Sequence, residues 1–362
     1  MHAPRHLDRQ ARLRASLAAS QLDGLLVTSI PNVRYLCGFT GSSAMLLVTA
    51  ARTVLITDFR YATQSAAESG HAADIIIDPT SIWSRLWTLL PELPVETVAF
   101  ESAHMTHADA ARFSDAGAQW HWRPAVNLVE VLREQKDESE VASIRNAIAM
   151  AERALERTVL HVKAGMTELD VCGRLEFELR AAGSEAFPFE CIVASGERSA
   201  LPHARASARV LRPGEFLLID FGAVSGGYCS DITRTFAVGS ANAEMRDIYA
   251  IVREANASAS GAVRAGMRGR DADAVARGYI ERRGWGAEFG HSLGHGIGLE
   301  VHESPRLSTL AESPLPAGAV VTIEPGVYRA GWGGVRIEDD VLVTTDGAEV
   351  LTSFSRELIE IG

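Results

Sequence analysis

The sequence lacks most of the features that would set it apart from ordinary globular proteins. Its 362 residues include four cysteines, and none of Cys37, Cys172, Cys191 and Cys229 forms a C-x-x-C pair. That spacing speaks against a disulfide scaffold or a thiolate zinc site and reads as buried free thiols in a reducing compartment. Long apolar runs are missing. Stretches such as 75–77 and 216–219 fall far short of the ~20 residues that span a bilayer. The opening MHAPRHLDRQARLRASLAAS has the charges and small residues of a signal peptide but no apolar centre. It reads as an amphipathic helix carrying Leu7, Leu13 and Leu17, and the expected compartment is the cytoplasm. Basic residues are in deficit, 35 Lys+Arg against 46 Asp+Glu, for a net charge of −11. An acidic balance without an aromatic-basic stripe speaks against nucleic acid or a membrane surface as a partner.

What remains is a composition of 47% apolar and 22% charged residues. It excludes a disordered, collagen-like or coiled-coil chain, and the length fits two domains. Over the first third, short apolar runs alternate with helical patterns. Strands are expected at 24–27, 45–48, 53–57, 74–77, 97–100 and 119–122, with helices near 5–20, 60–69, 81–90 and 106–116. This alternation indicates an α/β layer domain. The pattern changes after Arg123 and Pro124, giving a domain at 1–125, a linker at 126–136 and a second domain at 137–362. In the second domain, Val141, Ile144, Ile148, Ala151, Leu155 and Val159 recur at helical spacing. A second helix fits 167–182, with Thr167 as N-cap and Gly183 as stop. Strands follow at 216–221 and 228–238. Helices at 242–263 and 271–283 and strands at 320–323 and 335–344 then repeat the order.

The repeat is visible residue by residue. Val162-Lys-Ala-Gly-Met166 returns as Val263-Arg-Ala-Gly-Met267, an offset of 101 residues. The segment from Leu211 to Gly222 returns from Leu315 to Gly326, an offset of 104. Two matches at nearly one offset indicate a duplicated half-domain of about 100 residues, with pseudo-two-fold symmetry and a site between the halves. The alignment superposes Asp220 on Glu324.

Four acids sit in otherwise apolar strands: Asp220, Asp231, Glu324 and Glu338. Isolated buried carboxylates are costly, so such groups are paired or bind metal. The same strands supply only Arg234 and Arg336 as partners. A hairpin at Gly226-Gly227 would bring Asp220 beside Asp231, and a turn near 331–334 would bring Glu324 beside Glu338. The glycine-rich string HSLGHGIGLEVH adds His291, His295 and His302. Such an oxygen-rich set suits Mn²⁺, Co²⁺ or Fe²⁺ better than a thiolate-type zinc site, and bridging carboxylates would hold two ions ~3.5–4 Å apart.

The strings GHSLGHGIGLEVHE, TIEPGVY, VRIEDD and IDFGAVSGGYCSDITRTF resemble those of the pita-bread metallopeptidases. Over its full length the chain is similar to the Xaa-Pro peptidases, aminopeptidase P and prolidase, with a creatinase-type N-terminal domain. The resemblance implies an α/β N-terminal domain followed by an α+β pita-bread catalytic domain. It implies Asp220, Asp231, His295, Glu324 and Glu338 as ligands to two divalent metals, first of all Mn²⁺, with Co²⁺, Fe²⁺ or Zn²⁺ as alternatives. His203, His291, His302 and Arg336 match the family's other active-site positions. The implied reaction removes the residue before proline. A water acidified by the metals attacks, Glu324 acts as base and proton shuttle, and His302, with or without His203, stabilises the oxyanion. Peptides with proline at the second position are the implied partners, and a homodimer the implied assembly. Aminopeptidase is the leading specificity and Xaa-Pro dipeptidase the alternative. A non-catalytic peptide-binding module and a creatinase-like amidinohydrolase are more remote.

Several residues read two ways. Arg336 is an active-site arginine or an ion-pair partner of Glu338 or Asp339. Tyr328 is a substrate contact or strand packing. Asp58 in TDFRY reads as a helix cap, against a role for Arg60 or Tyr61 at a partner's site.

Overall fold

The computed structural model describes residues 3–116 and 119–362. They fall into two units, the first ending at Arg133 and the second running from Glu134 to Gly362.

The first unit is built on a mixed six-stranded sheet of β1 (Gly24–Val27), β2 (Ala44–Thr49), β3 (Thr53–Thr57), β4 (Asp74–Ile77), β5 (Thr97–Glu101) and β6 (His121–Ala125), in the order β4-β3-β2-β1-β5-β6. Helices α1 (Ala3–Ala19), α2 (Ile30–Cys37), α3 (Ala62–Ser69), α4 (Ile82–Leu89) and α5 (His107–Ala111) connect or flank these strands. Strands β1 to β3 are buried along their whole length, which is why they read as unbroken apolar runs. Two expectations shift. The sixth strand lies at His121–Ala125 rather than 119–122, because its Pro124 is tolerated on an edge strand. The stretch 126–136 is also no bare connector: it carries helix α6 (Glu130–Glu134). Val129 and Leu132 are buried there, and the Tyr35 hydroxyl donates to the Leu132 carbonyl at 2.9 Å. Five residues are too few to show a helical period.

The second unit opens with α7 (Glu138–Val159) and α8 (Glu168–Ala181), each begun by a capping box, at Asp137 and Thr167. It continues through β7 (Ile192–Ser195), β8 (Glu215–Phe221), β9 (Val224–Ser225), β10 (Tyr228–Cys229) and β11 (Ile232–Val238). Helices α9 (Ala243–Ala262) and α10 (Gly269–Arg282) lead to β12 (Gly294–Gly296), β13 (Glu303–Leu307), β14 (Val320–Ile323), β15 (Gly326–Arg329), β16 (Gly333–Arg336), β17 (Asp339–Val343), β18 (Ala348–Val350) and β19 (Glu360–Ile361). Two main sheets result, β19-β11-β8-β7 and β13-β12-β14-β17-β18.

The duplication extends to single hydrogen bonds. Gly165 N–H donates to Leu211 O at 3.0 Å, and Gly266 N–H to Leu315 O at 2.9 Å. Gly214 N–H donates to Val238 O at 2.7 Å, and Gly318 N–H to Val343 O at 2.8 Å. All four glycines have φ between 81° and 92°, a conformation that costs other residues a steric penalty. The two long strands expected at 228–238 and 335–344 are each interrupted. The interruptions fall at 230–231 and 337–338, so Asp231 and Glu338 occupy matching breaks in the two halves.

Candidate metal centre

Each half presents two acids by the same device. In the first half β8 runs antiparallel to β11, with Asp220 opposite Thr233. The excursion between them is the β9–β10 hairpin, whose Gly226 and Gly227 have φ of 57° and 77°, the conformation of a tight primed turn. The Glu185 carboxylate caps this turn, accepting Gly226 N–H at 2.6 Å and Gly227 N–H at 3.0 Å. In the second half β14 pairs with β17, with Ile323 opposite Asp339, which sets Glu324 alongside Glu338. His295 lies in the middle of β12, between β13 and β14.

Ligand atoms of Asp231, His295 and Glu338, all buried, lie within 4.8 Å of one another. His295 Nε2 is 3.5 Å from Glu324 Oε1 and 3.7 Å from Asp231 Oδ2. The imidazole tautomer can be deduced. His295 Nδ1 lies 3.1 Å from the Gly296 carbonyl oxygen, which can only accept, so Nδ1 carries the proton. Burial, then His302, pushes the His295 pKa down to about 3, so the ring is neutral and Nε2 offers a bare lone pair. That lone pair faces two carboxylates. Asp220 Oδ1 and Asp231 Oδ1 are buried without a hydrogen-bond partner. Converging lone pairs and orphaned carboxylate oxygens are what a cation satisfies, so the residues fit divalent metal ions.

The acids show the same frustration. Burial raises the pKa of Asp231 and of Glu338, and the neighbouring carboxylates add to it. Burial likewise lifts Glu324 to about 8, opposed by Arg336 and reinforced by Asp220. Two threonines brace the set: Thr233 Oγ1 donates to Glu338 Oε2 at 2.6 Å, and Thr322 Oγ1 to Glu324 Oε1 at 3.3 Å. Asp340 Oδ2 accepts the Asp231 backbone N–H at 3.1 Å.

Beside the acids lies a cavity of about 390 Å³, lined by all nine site candidates of the sequence: His203, His291, His302 and Arg336 join Asp220, Asp231, His295, Glu324 and Glu338, while Tyr328 lies outside its wall. Arg336 does not pair with Glu338 or Asp339. Its guanidinium donates to Asp220 Oδ2 at 2.5 Å, to Thr233 Oγ1 at 3.0 Å and to the Tyr328 hydroxyl at 2.8 Å. Asp339 is taken instead by Arg234 and Arg356. Tyr328 also meets His291 Nε2 at 2.9 Å. His291 Nδ1 faces the Ser292 carbonyl at 2.8 Å, so the proton is there, and Tyr328 donates to Nε2 while accepting from Arg336. Burial lowers the His291 pKa to about 4, and the chain is neutral at the imidazole. The His302 ring stands edge-on to His295 at 4.3 Å between centroids.

Four residues escaped the sequence reading as site members: Thr233, Thr322, Asp340 and Arg306. The threonines had a signal, since each lies two residues from an acid in a strand and therefore on the same face. Arg306 had none. It enters because β13 pairs with β12, setting it opposite His295. It lines the cavity, and its guanidinium makes no hydrogen bond or ion pair among the described residues. In the first unit Asp58 accepts the Arg60 N–H and pairs with its guanidinium at 2.8 Å, and the Tyr61 hydroxyl meets Ser42 Oγ at 2.8 Å.

Two pseudo-symmetric helix-helix-sheet halves closing on a carboxylate and imidazole cluster define a metallohydrolase of pita-bread architecture. More particularly, the chain belongs to metallopeptidase family M24, which matches residues 142–345, and carries a creatinase/prolidase N-terminal domain, which matches residues 9–135. The Bacillus subtilis peptidase YqhT is 39% identical over 348 residues, 96% of this chain and 98% of its own. A solved Xaa-Pro dipeptidase from Bacillus anthracis superposes with a TM-score of 0.95 at 40% identity, covering 98% of this chain and 100% of that one. An X-Pro aminopeptidase from Thermotoga maritima gives a TM-score of 0.90 at 38% identity, covering 97% and 99%. Among the described residues no helix is long and apolar enough to cross a membrane.

Proposed function

We propose that this metallopeptidase is an Xaa-Pro dipeptidase working with two divalent ions held by Asp220, Asp231, His295, Glu324 and Glu338. The observation that carries the reading is the unprotonated His295 Nε2 facing Glu324 and Asp231 at 3.5 and 3.7 Å, in a cluster with two orphaned carboxylate oxygens. The oxygen-rich set suits Mn²⁺ first, with Co²⁺, Fe²⁺ and Zn²⁺ as alternatives. When bound, the ions lower the pKa of a water and polarise the scissile carbonyl.

The chain's own residues supply the rest. Glu324 takes a proton from the attacking water and returns it to the departing proline nitrogen. His302 and His203 line the cavity as donors to the developing oxyanion. Arg336 holds Asp220 by one oxygen and leaves the other free. The Arg336–Tyr328–His291 chain keeps His291 fixed as a neutral ring at the cavity wall.

Arg306 favours the dipeptidase over the aminopeptidase that the sequence put first. An unpaired guanidinium in the cavity matches the free carboxylate of a C-terminal proline, a group that Xaa-Pro-Yaa lacks at that position. We assign catalysis to residues 137–362, with 1–125 as the separate N-terminal domain. The reading includes a homodimer, checked by light scattering, and a cytoplasmic location, which the four free cysteines support.

The test is to strip the protein of metal, reload it with Mn²⁺ and offer Xaa-Pro, Xaa-Pro-Yaa and Xaa-Ala-Yaa side by side. Cleavage confined to Xaa-Pro supports the dipeptidase. Efficient removal of the first residue from Xaa-Pro-Yaa makes the enzyme an aminopeptidase and leaves Arg306 without the proposed role.

A further inference from the structure

Cys172 and Cys191 are both buried and both free. They come from different elements, Cys172 from the inner face of α8 and Cys191 from the residue just before β7. The two side chains are neighbours: Cys172 Sγ lies 4.0 Å from the Cys191 carbonyl oxygen, and each thiol perturbs the other's titration. Cys191 is also one of the residues lining the metal-site cavity, so small solutes entering that cavity reach this member of the pair. The next residue, Ile192, is paired across the sheet with Asp220. Phe189 and Glu190, on the same segment, belong to the cavity wall too. The other two cysteines are placed differently: Cys37 lies in the first unit, and Cys229 in the β9–β10 hairpin.

We propose that Cys172 and Cys191 form a vicinal dithiol that hydroperoxides oxidise to a disulfide, a reversible modification in the wall of the metal-site cavity. Two thiols in mutual contact need little movement to join, and a solute path to one of them supplies the oxidant. Cys191 lines the cavity, so it is the sulfur the oxidant meets. Its thiolate takes the terminal oxygen of the hydroperoxide, the O–O bond breaks, and the alcohol (water, for hydrogen peroxide) leaves with one proton. Cys191 is then a sulfenic acid. Cys172 loses its proton, attacks that sulfur, and expels hydroxide, which takes the proton to become water. The two sulfurs lose two electrons in all, the hydroperoxide gains them, and one S–S bond replaces two S–H bonds.

The disulfide would tie the 189–192 wall to α8. The expected consequence is a changed KM for substrate, with the five metal-site groups untouched. Mass and thiol state need no substrate, so a failure here is distinct from a failure of the dipeptidase reading.

The experiment treats the metal-loaded protein with a few equivalents of hydrogen peroxide, then measures intact mass and non-reduced peptide maps. The expected result is a loss of about 2 Da, a cross-linked peptide pair containing Cys172 and Cys191, and reversal by dithiothreitol. The C172A variant keeps its basal activity and shows neither the mass loss nor the cross-link. The proposal is overturned if the thiols stay reduced, if they go to sulfinic acid without a cross-link, or if the mass loss persists in C172A.

Discussion

At the scale of single residues, the site is governed by what His295 cannot do. Its Nδ1 proton is committed to the Gly296 carbonyl, so its Nε2 can only accept, and its neighbours are carboxylates. Removing the ring removes one of the five groups proposed to hold metal and leaves the acids to repel one another. H295A is expected to lose at least ~10³-fold in kcat/KM with Mn²⁺, comparable to the loss of a principal electrostatic group, and to bind fewer ions by metal analysis while keeping its far-UV circular dichroism. A folded H295A with full activity and full metal content would remove His295 from the metal centre. Thr233 is a milder case. Its hydroxyl donates to Glu338 and accepts from Arg336 Nε, so T233V keeps all five proposed ligands but loses their bracing. A fall of 10–100-fold in metal affinity is expected, read by titrating stripped protein with Mn²⁺. An unchanged affinity would make Thr233 a packing residue.

At the scale of elements, the strand that carries His295 explains the glycines around it. β12 is squeezed between β13 and β14, and a Cβ at Gly294 would stand 2.0 Å from the Thr322 carbonyl oxygen, while one at Gly296 would stand 2.2 Å from Ser304 O. Neither neighbour is a flexible side-chain end. G294A and G296A are expected to cost about 1–3 kcal/mol by overpacking, seen as a Tm lower by several degrees, and to lose activity as β12 is pushed off its partners. G290A, where a Cβ meets nothing within 4 Å, is the control and keeps both. Equal Tm values for all three would show that β12 has slack that the close backbone approaches deny. The same elements show how far the sequence could be read. Apolar strands and capped helices were legible because burial and capping leave period and residue-type signals: Asp137 and Thr167 open α7 and α8, and β14 falls at 320–323. The duplication in the sequence superposes Asp220 on Glu324 as equivalent positions of the two halves. What was not legible came from pairing at long range. Nothing local marks Arg306, which owes its place to the β12–β13 register, or the breaks at 230–231 and 337–338, which follow from hairpins folding out of the sheet. Pro124 looked like a strand end because sequence alone does not say which strand is an edge.

At the scale of the whole molecule, the site stores a conflict that pH and metal settle together. Asp231, Glu324 and Glu338 all have pKa values raised in the fold, first by burial, with Glu324 at about 8. In the unfolded chain these acids ionise near the ordinary carboxylate value of about 4. Between those limits the metal-free folded protein binds protons that the unfolded chain has released. The sign follows: stability is full below pH 4 and is lost as pH rises toward the folded pKa values. His291 and His295, depressed to about 4 and 3, work in the opposite direction, but only below the ordinary histidine value of about 6.5. From pH 6.5 to 8 the acids act alone, each still-protonated carboxylate costing about 1.4 kcal/mol per pH unit. Bound cations replace those protons and abolish the slope. The measurement is the Tm of chelator-treated and Mn²⁺-loaded protein in parallel across this range, so that every other titration cancels in the difference. The gap between the two forms is expected to widen steadily from pH 6.5 to 8, through a falling Tm of the stripped protein. A stripped protein whose Tm is flat or rising over that interval would show that its buried acids are already ionised and balanced by something other than metal.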